Sequence, residues 1–287
     1  MSGVFSLLHE NLQKALTARN WQPTPIQNSA IPEIINGKSR LLIAPTGSGK
    51  TLSAILPILH RCIAEDWQPL SVLYITPLRA LNRDVDRRLQ EIADSVGLRV
   101  GLRHGDTTQS ERAKQVRKPP HILVTTPETF QLMFTGKNLR KLLATVKAVI
   151  VDEVHDLAAS ERGWQLSVGL ARLEALSGEK VQRIGLSATV GNPQQVAKWL
   201  SDDGEAIIET GKRVTEIFVE TEFPTSEDET GGIEYAIPSR AHAIFRQVIS
   251  IIEKDAPCLL FVNSRSDAET IANRLQKMAP ALEIGVH

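Results

Sequence analysis

The chain has only two cysteines, Cys62 and Cys258, far apart and each inside an apolar run. That supply excludes a disulfide framework or a cysteine zinc cluster, and both residues are expected to be buried thiols in a reducing compartment. Aromatic residues make up only 5%, yet a 42% apolar fraction still suffices for a packed core, and 23% charged residues are too balanced for a disordered or collagen-like chain. Charge of one sign is lacking too. Lys+Arg and Asp+Glu both total 33, so any nucleic-acid surface must come from local patches. No apolar run reaches the roughly 18 residues of a membrane helix. The first twenty residues lack a signal-peptide layout, because His9, Glu10 and Lys14 interrupt them. The expectation is a soluble intracellular protein, cytoplasmic or nucleoid-associated, with no membrane partner. Repeats and low-complexity tracts are absent, and the acidic, breaker-rich stretch 225–232 (TSEDETGG) is the best linker.

The 287 residues leave room for one large domain or two ordinary ones, at roughly 100 to 200 residues per domain. β-branched runs at 40–43, 72–76, 99–102, 122–125, 148–152 and 181–186 alternate with helical patterns. That alternation predicts an α/β fold, a doubly wound parallel sheet covered on both faces. Two alternating runs follow, at 207–208 and 217–219, and then the acidic stretch. Beyond it the pattern predicts a helix over 240–254, a buried strand at 258–262, a helix over 266–277 and a strand at 282–286. About 50 residues of βα pattern do not close a doubly wound sheet, which usually needs about 100 or more. The chain is expected to hold one whole domain and the beginning of another.

Residues 44–51 (APTGSGKT) follow a strand and open a helix. Gly47 and Gly49 let the backbone curl so that successive N–H groups face a polyphosphate, and the helix N-terminus adds partial positive charge. Lys50 is placed for the β- and γ-phosphates and Thr51 for Mg2+. Thr46, Gly47, Ser48, Gly49, Lys50 and Thr51 thus form the expected nucleotide-binding loop of a P-loop NTPase, although Ala44 replaces the first glycine of the strict pattern. The strand at 148–152 delivers Asp152 and Glu153 at its C-terminal end, where such sheets bind ligands. Asp152 is suited to hold Mg2+ through water and Glu153 to polarise an attacking water. Thr51, Asp152 and Glu153 make the candidate Mg2+ set. His155, three residues after Asp152, joins Lys50, Asp152 and Glu153 as a catalytic candidate.

These residues resemble the superfamily-2 DExH-box helicases, and DEVH at 152–155 looks like motif II of the large helicase-related (Lhr) family of archaea and bacteria. The matches run in family order over nearly the whole chain. Residues 21–27 (WQPTPIQ) resemble the Q motif, 44–51 motif I, 76–81 (TPLRAL) motif Ia and 103–106 (RHGD) the glycine motif. Residues 125–128 (TTPE) resemble motif Ib, 187–189 (SAT) motif III and 260–265 (LFVNSR) motif IV. The resemblance implies that Gln27 reads adenine, so that ATP with Mg2+ is the cofactor. It implies a nucleic-acid track through Thr76, Pro77, Arg79, His104, Gly105, Thr126 and Pro127, with Asn263 and Arg265 from a second domain. It also implies that Ser187 and Thr189 couple nucleotide state to that domain. The implied layout is a first RecA-like domain at 1–222, a linker at 223–237 and the N-terminal part of a second RecA-like domain at 238–287. Motifs V and VI have no counterpart before His287, so this chain is expected to be an incomplete motor with ATPase activity near background.

Charge along the chain agrees with a nucleic-acid surface. Residues 79–141 hold 13 Lys/Arg against 7 Asp/Glu, whereas residues 205–234 hold 2 against 9. The basic tract includes Arg79, Arg83, Arg87 and Arg88, and phosphate contacts of this kind are sequence-independent and salt-sensitive. Trp164 and Trp199 are expected to be core or interdomain aromatics. The first reading is an ATP-dependent DNA helicase or translocase on single-stranded or branched DNA, with 3′ to 5′ polarity and a role in repair or recombination implied by the resemblance. An RNA or RNA–DNA hybrid helicase uses the same motifs, and a non-catalytic binding fragment is a third class. No guanine signature of the NKxD type supports a GTPase.

Overall fold

The computed structural model describes residues 3–77, 89–209, 223–255 and 257–286. Arg79, Arg83, Arg87, Arg88 and the run at 217–219 lie outside the described residues. By their contacts the residues divide into two compact units, Met1–Arg213 and Val214–His287.

The first unit is built on seven strands: β1 (Arg40–Ile43), β2 (Val72–Ile75), β3 (Val100–Arg103), β4 (Ile122–Thr125), β5 (Ala148–Val151), β6 (Gln182–Ser187) and β7 (Glu205–Ile208). They lie in the order β3-β4-β2-β5-β6-β1-β7, and every pairing is parallel. The six runs expected from sequence are all strands, each within a residue or two of its expected bounds. A central parallel strand is covered on both sides, which is why Val149-Ile150-Val151 is apolar throughout. Side-chain alternation splits it between two cores. Tyr74 and Ile150 join one, while Leu73, Ile75, Val149 and Val151 join the other.

Because all strands run the same way, their C-terminal ends share one edge of the sheet, and strand order decides what meets there. One half is β1, β6 and β5, which lead into the phosphate loop, residues 187–189 and Asp152. The other half is β2, β4 and β3, which lead into Thr76, Thr126 and His104.

The second unit, taken by itself, departs from expectation. The stretch 225–232 is no open linker: Ser226–Glu234 is a helix, capped by a reciprocal Thr225–Asp228 box. Asp228 is fully buried. It accepts from Thr225 N, meets His242 Nδ1 at 2.8 Å and accepts from Arg246 Nε at 3.1 Å. These bonds fasten the helix to the next one, Ser239–Asp255, and Gly231 is required there, since a Cβ would stand 2.2 Å from His242 Nε2. A third helix spans Arg265–Met278. Neither 258–262 nor 282–286 is a strand. Leu259 and Phe261 are 86% and 87% exposed, and Cys258 is exposed rather than buried. A strand needs a neighbour for its backbone N–H and C=O groups, and this unit offers none among its described residues. Cys62, in contrast, is buried in the first unit, where burial pushes its thiol up to about 12.

Candidate functional site

The phosphate loop leaves β1 at Ala44, whose N–H bonds Ser187 O on β6 at 3.3 Å. Gly47 and Gly49 both take left-handed backbone, with φ of 80° and 94°. At Gly49 a Cβ would lie 2.6 Å from Gln27 Nε2, so no other residue fits without displacing that side chain. Gln27 is almost completely buried. Its Oε1 accepts from Thr24 N at 3.0 Å and its Nε2 donates to Gly49 O at 3.3 Å. The Q-motif amide therefore braces the phosphate loop, and keeps one N–H and one lone pair for another partner. The helix Lys50–Ala64 starts at the loop's end, presenting its unpaired first-turn N–H groups beside exposed Thr46 and Gly47. Lys50 Nζ donates to the carbonyls of Ala44 and Pro45. Burial holds its pKa below the usual lysine range, against the opposing charges of Glu153 and Asp152.

Asp152 stands just past β5, its N–H bonded to Ile75 O at 2.8 Å. Both carboxylate oxygens are engaged: Oδ1 accepts from Glu153 N at 2.9 Å and Oδ2 from the Tyr74 hydroxyl at 2.5 Å. Tyr74 is fully buried in β2. Sequence reasoning missed this residue. The available signal was a lone phenol in an otherwise aliphatic central strand, which must find a partner when buried. Asp152 is thus held by Tyr74, while Thr51 opens the helix after the phosphate loop. Burial raises the pKa of Asp152, with the Tyr74 bond opposing. Burial and then Asp152 raise that of Glu153.

Glu153 has φ 46° and ψ 50°, a left-handed backbone unusual for a side chain of its size. Its Oε2 lies 3.4 Å from His155 Nδ1. The same imidazole nitrogen is 3.0 Å from Ser187 Oγ, which donates to Thr189 O at 3.0 Å. The four residues expected to join hydrolysis to coupling thus form one chain of contacts.

Thr51, Asp152 and Glu153 supply hard oxygen donors, the set Mg2+ takes. Among the described residues no group of three His, Cys, Asp or Glu could hold a metal. The fit is supported by two half-buried carboxylates whose pKa values are raised, an arrangement a divalent cation relieves.

At the other half of the edge, Thr76 is fully buried and its hydroxyl has no partner among the described residues. Thr126 caps the helix Pro127–Met133, its Oγ1 accepting from Thr129 N at 3.3 Å. That hydroxyl is committed to the helix, and the Thr126-Pro127 corner presents backbone instead. Residues 104–107 form a loop held from the following helix, Gln109–Arg117. Arg112 donates to the carbonyls of Thr107, His104 and Gly105 at 2.9, 3.0 and 3.1 Å. His104 Nδ1 accepts from Asp106 N at 3.1 Å, leaving Gly105 exposed at the tip. Burial, and then the nearby Arg112 charge, lower the Arg103 pKa. Asn263 and Arg265 are exposed at the start of a helix in the second unit, and Arg79 lies outside the described residues.

Trp164 is no core residue, being 70% exposed, while Trp199 packs partly against the second core. Both line a cavity of about 640 Å³ together with His155 and Thr189.

Residues 24–196 match the DEAD/DEAH box helicase family. The ATP-dependent helicase Lhr-Core protein 2 of Thermococcus barophilus is 37% identical over 300 residues, covering 96% of this chain and 34% of that protein. The ATP-dependent helicase Lhr-Core of Methanothermobacter thermautotrophicus is 37% identical over 279 residues, covering 90% and 32%. The solved structure of Mycobacterium smegmatis helicase Lhr bound to ssDNA and AMP-PNP matches with a TM-score of 0.79 and 34% identity, over 96% of this chain and 36% of that one. The chain spans about a third of the length of the relatives it matches. A RecA-like parallel sheet with a phosphate loop after β1 and DEVH after β5, matched over residues 24–196, places the chain in the DEAD/DEAH box helicase family, with Lhr proteins as its relatives.

Proposed function

We propose that the chain is the ATP-binding part of an ATP-dependent motor that moves on single-stranded DNA. The observation that carries this reading is the single sheet edge that bears both the phosphate loop after β1 and, after β5, the Asp152 carboxylate held by Tyr74. A nucleotide triphosphate fits the loop with its phosphates over the first turn of Lys50–Ala64. Lys50 then exchanges its two carbonyl partners for charge-assisted bonds to phosphate. Gln27, braced on Gly49, has the free donor and acceptor to meet adenine. Thr51, Asp152 and Glu153 would hold Mg2+, which neutralises charge on the phosphates when bound. Glu153 orients the attacking water, and its contact with His155 passes the change to Ser187 and Thr189.

Single-stranded DNA runs over the ends of β2, β4 and β3, touching backbone at Thr76, Pro77, Thr126, Pro127 and the 104–105 loop. Arg79 is a further candidate for phosphate contact, as are Asn263 and Arg265 of the second unit. The Mycobacterium smegmatis relative was solved with ssDNA and AMP-PNP, which supports this pairing of ligands, a 3′ to 5′ direction and a place in repair or recombination being the family's implication.

The test is Glu153→Gln, with nucleotide affinity and nucleic-acid-stimulated ATP hydrolysis both measured. Nucleotide affinity should stay within about twofold while stimulated hydrolysis falls by about a hundredfold or more. A Glu153→Gln protein that hydrolyses normally removes the water-orienting role. Hydrolysis indifferent to both ssDNA and ssRNA removes the motor reading, and preferential stimulation by ssRNA moves the substrate to RNA.

A further inference from the structure

The short helix Val154–Leu157, which carries the second half of DEVH, is followed by Glu161–Ser177. The two are packed without slack. Ser160 Oγ donates to Leu157 O at 2.9 Å and accepts from Gly163 N at 3.3 Å. A Cβ at Gly163 would stand 2.0 Å from Leu157 O and 3.4 Å from the Trp199 ring. Any shift of the DEVH helix therefore moves the backbone at 160–163 with it.

Arg162 sits within that fixed turn and reaches the opposite way. Its Nε donates to Glu128 Oε1 at 2.6 Å and its Nη2 to Pro77 O at 2.9 Å. Glu128 belongs to the first turn of the helix that Thr126 caps, and Pro77 follows β2. One guanidinium thus joins the loop after β2, the corner after β4 and the helix after DEVH. Burial opposes ionisation of Glu128, yet its bond to Arg162 keeps the carboxyl below the usual glutamate range. The side chains of Arg162 and Glu128 are 39% and 51% exposed, and ion pairs so exposed are worth about 0 to 1 kcal/mol to a fold. Stability is a weak reason for a forked contact to three segments; fixing their geometry is a better one.

We propose that Arg162 is a positioning residue that sets the spacing of the two nucleic-acid loops, 76–77 and 126–128, and couples them to the DEVH helix. The proposal rests on the motor reading and names the part through which nucleotide and single strand sense each other.

Its test is a pair of titrations on the chain, with a fluorescent oligo-dT and a fluorescent non-hydrolysable ATP analogue, each alone and with the other saturating. Arg162→Ala should leave the analogue's affinity alone unchanged, weaken oligo-dT binding about fivefold and bring the mutual effect of the two ligands close to one. The slope of log affinity against log salt should stay at the wild-type value, because Arg162 acts through the loops and not on phosphate. Arg162→Lys keeps the charge and loses the fork; it should fold normally and still lose the mutual effect. Arg162→Glu combined with Glu128→Arg should recover part of the oligo-dT affinity that either change alone removes. Wild-type affinity and coupling in Arg162→Ala would overturn the proposal, as would a salt slope reduced by about 0.7, the mark of a direct phosphate contact to a single strand. A wild-type chain that binds the analogue but neither oligo-dT nor oligo-U would overturn the motor reading and the proposal with it.

Discussion

The two halves of the sheet's C-terminal edge are built on opposite principles. Around β1, β6 and β5, burial governs the charged groups: it pushes Lys50 down and Asp152 and Glu153 up. Around β2, β4 and β3, charged side chains mostly hold loop backbone in place, as Arg112 does for residues 104–107 and Arg162 for Pro77. The first half obtains strength from low dielectric and fixed distances; the second presents a shaped, solvated surface whose charges act additively and are screened by salt.

That contrast can be broken in three ways. The largest effect is expected from Lys50→Ala, which removes charge-assisted bonds worth about 3 kcal/mol, or roughly a hundredfold in nucleotide affinity. Calorimetric titration with ATP analogue checks it, and a loss below tenfold would place the phosphates away from Lys50. Next comes salt. With about three phosphate contacts, oligo-dT affinity should fall roughly twentyfold between 50 and 200 mM salt, while affinity for Mg2+-bound nucleotide changes far less; equal sensitivity would erase the distinction between the halves. The smallest effect is that of Tyr74→Phe, which keeps the shape and deletes the bond to Asp152. The Mg2+ concentration that half-saturates nucleotide binding should rise about fivefold, for a loss near 1 kcal/mol, with nucleotide affinity in excess chelator unchanged. An unchanged Mg2+ midpoint would make Tyr74 a packing residue only.

Much of the first half was legible in the sequence because its signals are local. GSGKT after Arg40–Ile43 and DEVH after Ala148–Val151 declare a loop and a strand end within a few residues. Tyr74 and Arg162 were not legible, because their partners are carboxylates or carbonyls brought near only by the sheet, and the Arg112 contacts, though local, exist only once the loop at 104–107 has turned back on its helix. In the second unit, 258–262 has the apolar pattern of Val149-Ile150-Val151, but pattern alone does not make a strand where no neighbour accepts its hydrogen bonds. The helix Ser226–Glu234 was hidden by Gly231 and Gly232, which read as breakers, although Thr225 and Asp228 already had the spacing of a cap.

The left-handed backbone at Glu153 sets heat tolerance against turnover at a single position. A non-glycine residue there carries roughly 1 to 2 kcal/mol of strain that glycine does not. Replacing Glu153 by glycine would relax the fold and delete the carboxylate in one step. On the role proposed for Glu153, a library of this protein sorted only by melting temperature would therefore drift, at position 153, toward sturdier proteins that no longer turn over ATP.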